Sequence, residues 1–92
     1  MKSDLLKVLN IGKDTESKLI QAGIHSFAEL KAVGTEQAFL RLQSFDPGAC
    51  IQLFYGLEAA IQGIPASQLT FEKKQVLKEF HRLSKARLKN EN

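Results

Sequence analysis

The chain has 92 residues, with thirteen Lys and Arg against ten Asp and Glu, 43% hydrophobic content and 25% charged content. That composition describes one ordinary soluble globular domain and excludes global disorder. The lone cysteine, Cys50, excludes an internal disulfide and fits a reducing compartment.

Taken in chain order, Met1-Lys2-Ser3-Asp4 carries an acidic residue with no sustained apolar run behind it, so no signal peptide is expected. Leu5, Leu6 and Leu9 give a short apolar helical face, and Asn10-Ile11-Gly12-Lys13 forms a tight loop. Asp14 or Thr15 is placed to cap a second helix carrying Leu19 and Ile20, which Gly23 ends and Ile24 covers. Ser26, with Glu29 three residues on, is a capping box opening a third helix that turns Phe27, Leu30 and Val33 inward and stops at Gly34. Thr35 can cap a fourth helix from Glu36 to about Gln43, with Phe39 and Leu42 as its stripe. Asp46-Pro47 reads as the start of a fifth, because proline is preorganised for the first helical position.

This fifth helix, Pro47 to Gln62, is apolar around most of its circumference and should be central. Its one wet strip is Gln52, Tyr55, Glu58 and Gln62, and Gly56 is expected to permit a close helix crossing. The apolar stretch from Ala49 to Ile61, broken by Gln52, Gly56 and Glu58, is shorter than the ~20 residues that cross a bilayer. No membrane partner is expected, and a cytoplasmic location is. Gly63 and Pro65 end the helix, and a link of about one turn leads to Leu69. Thr70 caps a last helix running to about Lys89, with Val76, Leu77, Phe80 and Leu83 as its inner face and Asn90-Glu91-Asn92 expected to fray. No segment shows the alternation of a strand.

The charge is uneven. Residues 1–70 hold six basic and seven acidic side chains, whereas residues 71–92 hold seven basic and three acidic. Lys74, Lys78, Arg82, Lys85 and Lys89 fall within roughly an 80° arc of the last helix, given its period. Such an arc is either a phosphate-contact stripe or a solvated face that complements the negative end of the helix dipole.

The front of the chain resembles a helix–hairpin–helix, in which a glycine-containing loop and the start of the second helix offer backbone N–H groups to a DNA phosphate. Asn10 stands where the usual motif has a further glycine, and Asn10, Ile11, Gly12, Lys13 and Lys18 are the residues this resemblance points to. Asp14 and Glu16 lie where the phosphate would arrive. A longer resemblance runs from about Leu5 to Leu83. Leu9-Asn10-Ile11-Gly12, Leu19, Ala22-Gly23-Ile24, Leu30, Ala38-Phe39-Leu40-Arg41-Leu42 and Leu57-Glu58-Ala59-Ala60-Ile61-Gln62-Gly63 are similar, in order and spacing, to the C-terminal domain of the TfoX competence regulators. The resemblance implies a compact helical domain with a hairpin-type front half. Family members are associated with the regulation of competence for DNA uptake, usually behind another domain that has no counterpart in these residues.

Chemistry-bearing clusters are sparse. His25 and His81 have no second ligand at useful spacing, and Cys50 has no neighbouring base, so no metal, cofactor, small-molecule substrate or catalytic residue is expected. Cys50 itself should lie buried on the apolar side of the fifth helix. Gln52, Tyr55 and Gln62 mark a candidate partner surface. The sequence therefore reads as one all-α domain over residues 1–92, with five to six short helices in a SAM-like orthogonal bundle. It is expected to be a non-catalytic regulatory module that contacts a protein partner or a second copy of itself, the alternative being a nucleic-acid-binding accessory protein.

Overall fold

A computed structural model of the chain describes residues 4–90, with side chains as far as Arg87. Residues 1–3, on which the signal-peptide reading rests, lie outside the described residues, as do 91 and 92 of the frayed end. The architecture is all-α. A 3-10 turn at Leu5–Lys7 precedes α1 (Lys13–Gln21), α2 (Phe27–Val33), α3 (Thr35–Gln43) and α4 (Ile51–Gln62); a second 3-10 turn at Ala66–Gln68 leads into α5 (Phe71–Asn90).

The helix ends follow local chemistry. Gly23 takes φ +85°, which lets its N–H reach the Ile20 carbonyl and lets the Ile24 N–H reach that of Leu19 at 2.8 Å. Ile24 is then carried into the core. The same device recurs at Gly63, where the Ile64 N–H donates to the Ala59 carbonyl at 3.0 Å. The Ser26 hydroxyl accepts the Glu29 N–H at 3.1 Å, and the Thr70 hydroxyl accepts that of Lys73 at 3.1 Å. The Glu29 carboxylate takes the His25 N–H where a strict capping box would use that of Ser26. The Phe27 N–H goes instead to the Asp4 carboxylate at 2.8 Å, pinning the start of the chain to α2.

α4 packs against α3, α5 and the second 3-10 turn, while α3 also meets α1 and α2. α4 is thus central, as its apolar circumference requires. Phe39 of α3 and Phe54 of α4 stack at 4.4 Å between centroids, and Phe80 of α5 tilts against Phe54 at 5.6 Å. Leu5, Leu19, Ile24, Leu30, Leu42, Leu57 and Leu77 close the core around them.

Several expectations need correction. The leading segment makes one 3-10 turn: only Leu5 is buried, and Leu6 and Leu9 are exposed. α1 starts at Lys13 with Gly12 as its N-cap, so Asp14 and Thr15 lie inside its first turn, and the Asp14 carboxylate pairs along the helix with Lys18. Thr35 is inside α3, and its hydroxyl donates to Glu58 on α4 at 2.8 Å, so Gly34 (φ +87°) makes the turn. α4 begins at Ile51, not Pro47: residues 46–49 close a turn through the Ala49 N–H to the Asp46 carbonyl, and Lys18 holds the Asp46 carboxylate. Cys50 consequently precedes the helix in an extended conformation and is exposed. Gly56 admits the loop rather than a helix, with the Asn10 carbonyl 3.8 Å from where a Cβ would stand. Tyr55 is buried, not part of a wet strip, and Val76 and Leu83 are each 54% exposed.

Candidate interaction surfaces

The hairpin loop is built around Asn10, whose φ of +77° few residues other than glycine or asparagine adopt. Both ends of its amide are engaged inside the protein: Nδ2 donates to the Ile64 carbonyl at 2.8 Å and Oδ1 accepts the Ala66 N–H at 3.2 Å. Ile11 is buried beneath the loop. Gly12 and Lys13 are exposed, and the space beside the Gly12 Cα is open. Lys18 does not reach toward this loop as a free cation. It bridges Asp46 at 3.1 Å and Asp14 at 3.3 Å, and those hydrogen bonds, to Asp46 first, hold its pKa above the usual lysine value. Of the two lysines expected to help an arriving phosphate, only Lys13 faces solvent unbridged by these acids, and it shares the first turn with Asp14 and Glu16. The loop therefore presents a glycine and a helix start whose positive dipole end is already offset by the carboxylates of Asp14 and Glu16.

The basic arc of α5 is divided by the packing. Lys74 lies half-buried, its ammonium 5.8 Å from the centroid of the Tyr55 ring. Lys78 and Lys85 are exposed. Arg82 forks onto Glu79 one turn earlier, which raises the pKa of the guanidinium and lowers that of the carboxyl. The Lys89 side chain lies outside the described residues. Lys78, Arg82 and Lys85 thus share one solvent-exposed face of α5.

Gln52, Tyr55 and Gln62 do not form one surface. Gln52 is exposed, Tyr55 is buried under Lys74, and the Gln62 amide donates to Glu58 at 2.6 Å. Glu58 also accepts from Thr35 and pairs with Lys73 at 3.9 Å, so this group ties α3, α4 and α5 together. A cleft of about 360 Å³ between the starts of α1 and α4 is lined by Asn10, Lys18, Asp46, Cys50, Gln52 and Leu53, among others. Its charged groups are already paired with one another. Among the described residues no three His, Cys, Asp or Glu side chains converge as metal ligands, and no helix is long and apolar enough to cross a membrane.

The surface that sequence reasoning missed is the apolar edge of α5. Val76 and Leu83 were expected inside with Leu77 and Phe80; the helix does bury Leu77, but it takes Ser84 inward and leaves Val76 and Leu83 exposed. The signal for this was the small Ser84 and the ring of His81, which fit close against α3 and the turn before α4: the Gln43 amide donates to the Ser84 hydroxyl at 3.2 Å, and a His81 ring nitrogen lies 3.3 Å from the Ala49 carbonyl.

The model of the TfoX C-terminal domain family matches residues 1–81 of the chain. The chain belongs to that family. Two crystal structures of proteins from Listeria monocytogenes are similar to this TfoX C-terminal domain. An uncharacterized protein in a triclinic form is 46% identical, with a TM-score of 0.83 over 85% of this chain and 89% of the other. A protein of unknown function in a tetragonal form is 45% identical, with a TM-score of 0.85 over 87% of this chain and 99% of the other. No curated protein matches the chain. The family match ends at His81, so Arg82, Lys85 and Lys89 of the basic arc lie beyond it.

Proposed function

We propose that this TfoX C-terminal domain is a non-catalytic regulatory module that works by contact with a protein, either a partner or a second copy of itself. The observation that carries the reading is the pair Val76 and Leu83: large apolar side chains left more than half exposed on one face of α5 although the core is complete without them. The hairpin favours the same reading, since its asparagine is committed internally and its lysine is bridged by two carboxylates.

A second reading, nucleic-acid binding, is favoured by the end of α5, where residues 82–90 carry Arg82, Lys85, Arg87 and Lys89 and no carboxylate. Fluorescence anisotropy of labelled duplex and single-stranded DNA, titrated at low and moderate salt, separates the two. Under the protein-contact reading no binding is expected at moderate salt. Micromolar binding that falls steeply with salt and is lost in Lys78→Glu/Arg82→Glu would replace it with the nucleic-acid reading. Gly12→Val, whose side chain enters open space, reports separately on the hairpin.

A further inference from the structure

Glu72, Val76, Glu79, Leu83 and Arg87 follow one another along α5 at steps of three and four residues, so they share a face. Val76 and Leu83 are its exposed apolar centre. The charges on it are ordered, with Glu72 at the N-terminal end and Arg87 at the C-terminal end. A surface ordered in this way complements itself only when a second copy runs antiparallel to it. Resting on the protein-contact reading, we infer that this face is the seam of a homodimer in which α5 packs antiparallel against α5 of a second copy.

A two-fold axis passing between Glu79 and Phe80 sets Val76 opposite the second copy's Leu83, and Glu72 opposite the second copy's Arg87; symmetry repeats both pairs. A guanidinium has several N–H donors, so Arg87 takes this carboxylate beside the contacts it makes in its own chain. Glu79, nearest the axis, is already neutralised by Arg82, so the copies bring no bare carboxylates together. Lys74, Lys78 and Lys85 lie roughly on the opposite side of the helix from Val76, given about 100° per residue, so pairing keeps the like charges of the two copies apart. A parallel arrangement would set Glu72 on Glu72 and Arg87 on Arg87.

Sedimentation velocity of the full chain over a concentration series tests the seam. The expected result is reversible formation of a species twice the 10.3 kDa of the chain. Leu83→Glu, and independently Val76→Glu, should leave a monomer with unchanged helical circular dichroism. Glu72→Arg and Arg87→Glu should each weaken association about tenfold or more, and the two together should restore it. A monomer at every concentration overturns the inference, as does a dimer indifferent to Leu83→Glu and Val76→Glu, or a double charge reversal weaker than both single changes. None of those results touches the protein-contact reading, which fails only if the anisotropy titration finds salt-sensitive DNA binding.

Discussion

At the scale of single residues, Asn10 does the most with the least. It turns the backbone through a left-handed conformation and uses its amide to staple the hairpin to the link after α4, at Ile64 and Ala66. Two substitutions separate these roles. Asn10→Gly keeps the turn and loses the staple, and should lower stability by about 1–3 kcal/mol in urea unfolding. Asn10→Ala loses both and should cost roughly 1 kcal/mol more. If Asn10→Gly proved as stable as the parent, the staple would have no energetic role. Gly12, by contrast, holds an ordinary φ of −95° beside open space, so Gly12→Ala should change stability by less than about 0.5 kcal/mol. The tolerance of asparagine for a left-handed turn was legible at this position from its residue type. Its bonds to residues more than fifty positions away were not, because no spacing rule connects them.

At the scale of the helix, α5 shows how a pattern leaves a choice open. Val76, Leu77, Phe80 and Leu83 all fit an inward face by spacing, and a rotation of the helix selects among them. The observed rotation buries Leu77 and Ser84 and half-buries Phe80 and His81. His81 lies 5.6 Å from the Phe39 ring, and Ser84 meets Gln43 of α3. Leu77→Ala should therefore cost about 2–5 kcal/mol, as the loss of a buried leucine does. Leu83→Ala in dilute protein should cost less than about 0.5 kcal/mol. Urea midpoints of the two variants check the rotation directly, and equal losses would contradict it. The start of α4 carries the same lesson. Proline at position 47 is compatible with a helix start, but the Asp46 carboxylate that would cap it is taken by Lys18, and the chain spends residues 46–49 on a turn before the helix begins.

At the scale of the whole molecule, polar ties hold together elements far apart in the chain. Lys18 joins α1 to the turn after α3 through Asp46, and Glu58 joins α3, α4 and α5 through Thr35 and Lys73. The Lys18 pKa is raised in the folded state, chiefly by its hydrogen bond to Asp46. The stabilisation it supplies is therefore complete below the unfolded lysine value of about 10.4 and is lost as pH rises through the higher folded one. The parent should lose more stability above about pH 10 than Lys18→Met does, and thermal unfolding of both across that range measures the difference; parallel curves would remove Lys18 from the account. The sequence by itself determined the helical class, the family, the glycine closures at Gly23 and Gly63 and the caps at Ser26 and Thr70. Each of these depends on backbone preferences and on neighbours within a turn or two, or on a pattern spread along the chain. Only the tertiary structure decided which side of α5 faces inward, why Tyr55 is buried, which acid Lys18 holds and what Asn10 staples. Those outcomes depend on the shapes of surfaces brought together from distant parts of the chain, and a periodic apolar stripe limits the rotation of a helix without selecting the partner that finally sets it.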